Sequence, residues 1–135
     1  MTTSRIDLDA LRLPDLQHRK RVPMRAIRAI ARIIAEKFNP DKIILFGSHA
    51  YGRPKPWSDV DLLVVMETPE GEWPLTKAIK LAMPDCSFSL DILVRSRATI
   101  DHRLAIGDWF MAEIMAKGKV LHERGNGRVG RQGRK

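Results

Sequence analysis

Cysteine is nearly absent from this sequence: Cys86 is the only one among 135 positions. A single thiol excludes an internal disulfide and any metal site built on a cysteine cluster. Cys86 itself reads as a small packing or surface residue rather than a nucleophile. Long apolar runs are also missing, and nothing approaches the roughly 18 consecutive residues of a membrane span. The opening segment, MTTSRIDLDALRLPDLQHRKR, lacks the continuous apolar stretch of a secretory signal. These absences set the expectation of a cytoplasmic protein with no membrane partner. Histidine is sparse and dispersed, with His18, His49, His102 and His122 too scattered to form a ligand pair. No internal repeat is visible.

Acidic residues are in the minority, 16 against 24 Lys and Arg, for a formal net charge of +8. Half of that excess falls in residues 123–135, ERGNGRVGRQGRK, which have almost nothing to bury and are expected to be a disordered basic Gly/Arg tail. Such a tail either attracts phosphate polyanions or simply solubilises the terminus. Nucleic-acid binding is thus open but not favoured. With 44% hydrophobic and 30% charged residues, the remainder suits one globular domain around one core. The expected division is an N-terminal arm over 1–22, loosely packed or partly helical, a folded domain over 23–122, and the tail.

From Met24 onward the pattern becomes regular. Met24, Ile27, Ile30, Ala31, Ile34 and Phe38 recur at helical spacing with Arg25, Arg28 and Arg32 on another face, and Asn39-Pro40 closes the helix. IILF at 43–46 reads as a buried strand running into a turn at Gly47-Ser48. VDLLVVM at 60–66 is a second strand, 67–74 a loop, 75–83 a short helix and SFSLDILV at 87–94 a third strand. Residues 99–117 read as helix, interrupted at Gly107 and ended by Gly118, and 120–123 as an edge strand. This order predicts an α/β or α+β domain with a small central sheet.

The chemistry concentrates in LFGSHAYG (45–52) and SDVDLLV (58–64). Residues two apart in an extended chain project to one face, about 6.6 Å apart at ~3.3 Å per residue. Asp59 and Asp61 therefore converge, with Val60, Leu62 and Val64 packing on the other side. Two carboxylates this close repel, and a hard divalent cation such as Mg2+ relieves that repulsion. Asp91, within LDILV, is a third acid in similar surroundings. Three acids on adjacent strands can hold two ions about 3.5–4 Å apart. Gly47 lets the backbone approach a ligand with its amides turned to phosphate oxygens, a helical turn starting at Ser48 would add a favourable dipole, and Ser48 offers a hydroxyl. Glycine and serine followed after ten residues by Asp-x-Asp arise by chance with odds of about two in a thousand in such a chain.

This block, ILFGSHAYG…SDVDLLVV with the later LDILV, resembles the minimal nucleotidyltransferases of the DNA polymerase beta-like superfamily. The similarity spans most of residues 24–122, including the closing WFMAEIMAKGKVLHE. The resemblance implies a small mixed sheet flanked by helices. It also implies that Gly47 and Ser48 hold the triphosphate of ATP or another NTP, that Asp59 and Asp61 ligate Mg2+, and that Asp91 is the third metal-site carboxylate, beside the nucleophile. Many relatives work with an all-helical HEPN toxin and, as antitoxins, transfer AMP to one of its tyrosines, so a HEPN-family partner is implied as well. Two positions depart from the family pattern. Tyr51 stands where many members have arginine, leaving Arg53, Lys55 or Mg2+ to balance phosphate charge. Trp57 stands where many have an acid or another polar residue, and either meets a partner or covers the site.

The expected reaction is in-line attack by an acceptor hydroxyl on the α-phosphorus of a nucleoside triphosphate, with pyrophosphate leaving. A non-catalytic antitoxin that binds its partner stoichiometrically would carry the same motifs. Adenylylation of a small molecule would ordinarily use a further substrate domain. Other patterns carry less. The spacing of Arg97 and His102 matches a HEPN ribonuclease motif but belongs to a different architecture, and adjacent Ser48 and His49 rarely orient for proton transfer. Trp73, Trp109 and Phe110 read as core or interface aromatics. A second protein is expected to complete so open a site, and a homo-oligomer is compatible with the sequence.

Overall fold

The computed structural model describes residues 8–11 and 22–125. A 3-10 turn, Leu8–Leu11, precedes helix α1, Met24–Phe38. Strand β1, Lys42–Phe46, leads through the one-turn helix α2, Ser48–Tyr51, and a loop to β2, Val60–Val65. Helix α3, Glu72–Ala82, connects β2 to β3, Leu90–Arg95. Helices α4, Arg97–Ala105, and α5, Trp109–Lys117, then lead to β4, Lys119–Glu123. The sheet order is β3-β2-β1-β4, with β1 antiparallel to both neighbours and β2 parallel to β3. The expected mixed sheet flanked by helices is the one observed. The expected tail lies outside the described residues beyond Gly125, as does most of the arm.

Both sheet faces are covered, which is why β1 and β2 are apolar at nearly every position. On the first face Ile43, Leu45, Val60, Leu62, Val64, Ile92 and Val94 pack with α1 and with Ile79 of α3. Helix α1 buries more than the expected stripe, because Ala10 and Leu11 of the 3-10 turn belong to the same cluster. Arg25, Arg28 and Arg32 remain exposed, as their spacing implies. The helix stops at Asn39, whose φ of 48° is left-handed and whose amide bonds to the Ala35 carbonyl at 3.0 Å. On the second face Ile44, Phe46, Leu63 and Val65 pack against Ile100 of α4 and Met111 and Ile114 of α5.

Several boundaries differ from the sequence expectation, each for a local reason. Helix α3 starts at Glu72 rather than 75, because Pro74 falls in the first turn, where its missing amide costs no helical bond. Strand β3 starts at Leu90 rather than 87, where its pairing with Val60 begins. The helical stretch expected over 99–117 starts at Arg97 and is divided in two at Gly107, where an interruption was expected. Gly107 at φ 83° turns the chain, and Ser96 and Asp108 cap the two starts by accepting from the amides of Thr99 and Met111.

Gly118 is needed for contact rather than for its backbone angle. A Cβ there would lie 2.5 Å from Ile44 Cγ2 and 2.6 Å from the Ile114 carbonyl oxygen. Gly118→Ala should therefore destabilise the fold by about 1–3 kcal/mol, measured as a lower urea midpoint at unchanged slope.

Candidate active site

Strand β1 ends where β2 and β3 begin, so the turn after Phe46 lies beside the first residues of both. Gly47 occupies this turn at φ 75° and ψ −157°, outside the range that side-chain-bearing residues favour. The amides of Ala50 and Tyr51 bond back to the Gly47 carbonyl at 3.0 Å, so a helical turn does begin at Ser48. Its first amide, that of Ser48, has no acceptor within the turn. A Cβ at Gly47 would collide with Oδ2 of Asp61, so this carboxylate rests directly against the glycine.

Asp61 is the register partner of Phe46 on β1 and of Asp91 on β3. Partners in register share a sheet face, which places Asp61 and Asp91 side by side on the α5-covered face. Val60, Leu62 and Val64 point into the core behind them. Asp59 lies one residue before β2 and is exposed, and the Val60 amide beside it bonds to the Ser89 carbonyl at 2.9 Å. The three acids interact: burial first, then the charges of Asp91 and Asp59, push the Asp61 carboxyl up to about 6.

Among the described residues no group of three His, Cys, Asp or Glu side chains stands at metal-binding spacing. The donor set nevertheless fits a hard divalent cation. It is all carboxylate oxygen, and its central member, set against Gly47, resists ionisation beside the other two acids.

The neighbouring residues divide by role. Ser48 is partly buried at the start of α2. Tyr51, in place of the family's arginine, packs against the apolar cluster of the second face. Arg53 and Lys55 are exposed in the following loop, and Trp57 is 66% exposed. Trp73 and Trp109 are exposed too and add nothing to the core, whereas the Phe110 ring meets Phe46 edge-on at 5.8 Å. Arg97 and His102 lie exposed on α4. Sequence reasoning missed His49. It is buried, and its Nε2 lies 3.3 Å from the Ser58 carbonyl oxygen. A histidine inside an otherwise small-residue turn was the available signal.

The structure thus brings a glycine turn against an acidic pair at the starts of two parallel strands. The family model described as nucleotidyltransferase domain matches residues 27–118, and the chain belongs to that family. Its fold is that of the DNA polymerase beta-like nucleotidyltransferases, and its general chemistry is nucleotidyl transfer. No curated protein matches the chain.

Two outcomes follow from this geometry. Gly47→Ala forces the Asp61 carboxylate aside and should cut nucleotidyl transfer about 100-fold, as expected for a misplacement near 1 Å, in a labelled-nucleotide assay. The second concerns pH. Between the ordinary value of 3.8 and about 6 the folded chain keeps a proton on Asp61 that the unfolded chain releases. The stability contribution of Asp61 therefore falls as pH rises through that window and stays lost above it. In chelator, Asp61→Asn should exceed wild type at pH 7.5 by on the order of 1–2 kcal/mol, allowing for solvent screening. That advantage should vanish near pH 4, as read from paired denaturant titrations.

Proposed function

We propose that this chain is a Mg2+-dependent nucleotidyltransferase that moves AMP from ATP to a hydroxyl on a protein partner, a tyrosine of a HEPN-type protein. The observation that carries the reading is the in-register pair Asp61–Asp91 set against Gly47. Asp59, Asp61 and Asp91 would hold the metal, which when bound offsets triphosphate charge and stabilises the leaving pyrophosphate. The Gly47 turn admits phosphate oxygens close to backbone, and the Ser48 hydroxyl donates to one of them. Asp91, exposed on the edge strand, is open to an approaching acceptor and can take its hydroxyl proton at a carboxylate oxygen. Positioning and electrostatics supply the rate, as is usual in phosphoryl chemistry.

A protein acceptor is supported by the surface beside the site. Phe110 meets Phe46, the strand neighbour of Asp61, edge-on, and Ile106 and Trp109 expose apolar area close by in the chain. The HEPN identity and the preference for ATP rest on the family resemblance.

The test follows labelled α-phosphate of ATP in the presence of Mg2+ and a HEPN-type protein. Label should appear on that protein, with a mass gain of one or more AMP units. Asp61→Asn should lower transfer by at least about 100-fold while the circular dichroism spectrum stays unchanged. Undiminished transfer by the variant would contradict the site. A partner left inhibited but unmodified would instead identify stoichiometric binding.

A further inference from the structure

His49 is the one buried histidine of the turn that follows β1, at 9% exposure. A buried imidazole needs hydrogen-bond partners. Its Nε2 lies 3.3 Å from the Ser58 carbonyl oxygen, nine residues on. A carbonyl can only accept, so the ring donates from Nε2–H. The bond links two segments that the chain separates by a loop containing Pro54 and Pro56: the glycine turn, and the residue immediately before Asp59.

Ser58 is fixed from other directions too. Its Oγ accepts from the Lys55 amide at 2.8 Å, and its own amide donates to the Lys55 carbonyl at 3.0 Å. On the far side of Asp59, the Val60 amide bonds to Ser89 at 2.9 Å. The backbone of Asp59 is thus held at both flanks, although Asp59 lies outside the strand ladder and its side chain is exposed. Of these bonds, the one from His49 ties the acid to the glycine turn.

We propose that His49 is a positioning residue that sets Asp59 relative to the Gly47-Ser48 turn, so that the phosphate-facing backbone and the first carboxylate form one unit. This rests on the reading of Asp59 as a metal-site carboxylate. Ligand carboxylates held by their surroundings bind metal more tightly than mobile ones, and loss of such support typically costs 10- to 100-fold in affinity. His49→Phe keeps a buried ring and removes the donor. His49→Gln places an amide N–H close to the position of Nε2 and keeps it.

The experiment uses Mn2+ as the probe, counting free ion by electron paramagnetic resonance against the full chain without nucleotide. The Phe variant should bind Mn2+ about 10- to 100-fold more weakly than wild type, and the Gln variant within about threefold of it. In the transfer assay the Phe variant should regain most of its rate at saturating metal. Wild-type affinity in a folded Phe variant overturns the proposal, as does a Gln variant as impaired as Phe. Should the Phe variant fail to melt cooperatively, His49→Asn replaces it, because its shorter amide stops short of Ser58. A wild-type chain that binds no Mn2+ overturns the underlying metal-site reading as well, which separates that failure from failure of the tie alone.

Discussion

Asp61 lies between Phe46 and Asp91 in the sheet, against the Cα of Gly47, with the apolar core directly behind it. Few positions are less suited to a charged carboxylate. Burial and two neighbouring acids all favour its neutral form, and the fold accepts that cost at the end of its central strand pair. Such a cost persists only where the surroundings leave no alternative. The antiparallel pairing with β1 and the parallel pairing with β3 fix the backbone on both sides, and alternation then fixes the direction of the side chain. Moving it by one residue would turn Asp61 into the core and Leu62 out.

The rest of the architecture serves this placement. Helices α1 and α3 and the 3-10 turn cover one face of the sheet while α4 and α5 cover the other, so the middle of the central strands is buried from both sides. Gly118 lets the start of β4 close onto β1 and holds α5 against Ile44. Phe110 then meets Phe46, so the apolar surface of α5 reaches the edge of the acidic site.

Much of this was legible in the chain. The helix over 24–38, the apolar run at 43–46 and the Asp-x-Asp with its alternating valines and leucines carry strong local patterns, and local patterns are what a sequence displays directly. The spacing from Gly47 to Asp61 was readable because glycine and paired acids are each costly without a purpose. Boundaries were less legible where two influences compete. Pro74 reads as a breaker yet sits in a first helical turn, and Ser87 to Ser89 read as strand yet have no ladder partner. Tyr51 illustrates a different limit. Its departure from the family's arginine was plain, but its packing on the second-face cluster depends on residues far along the chain.

The sequence by itself determined which acidic and glycine residues the candidate site draws on and the kind of element on or beside which each resides, since periodicity and turn chemistry act over a few residues. Only the tertiary structure decided that Asp91, thirty positions beyond Asp61, is its neighbour in register, and that His49 reaches Ser58 across the loop. Strand order, relative direction and register come from burying two faces of one sheet at once. That condition is met by the whole chain together and by no segment alone.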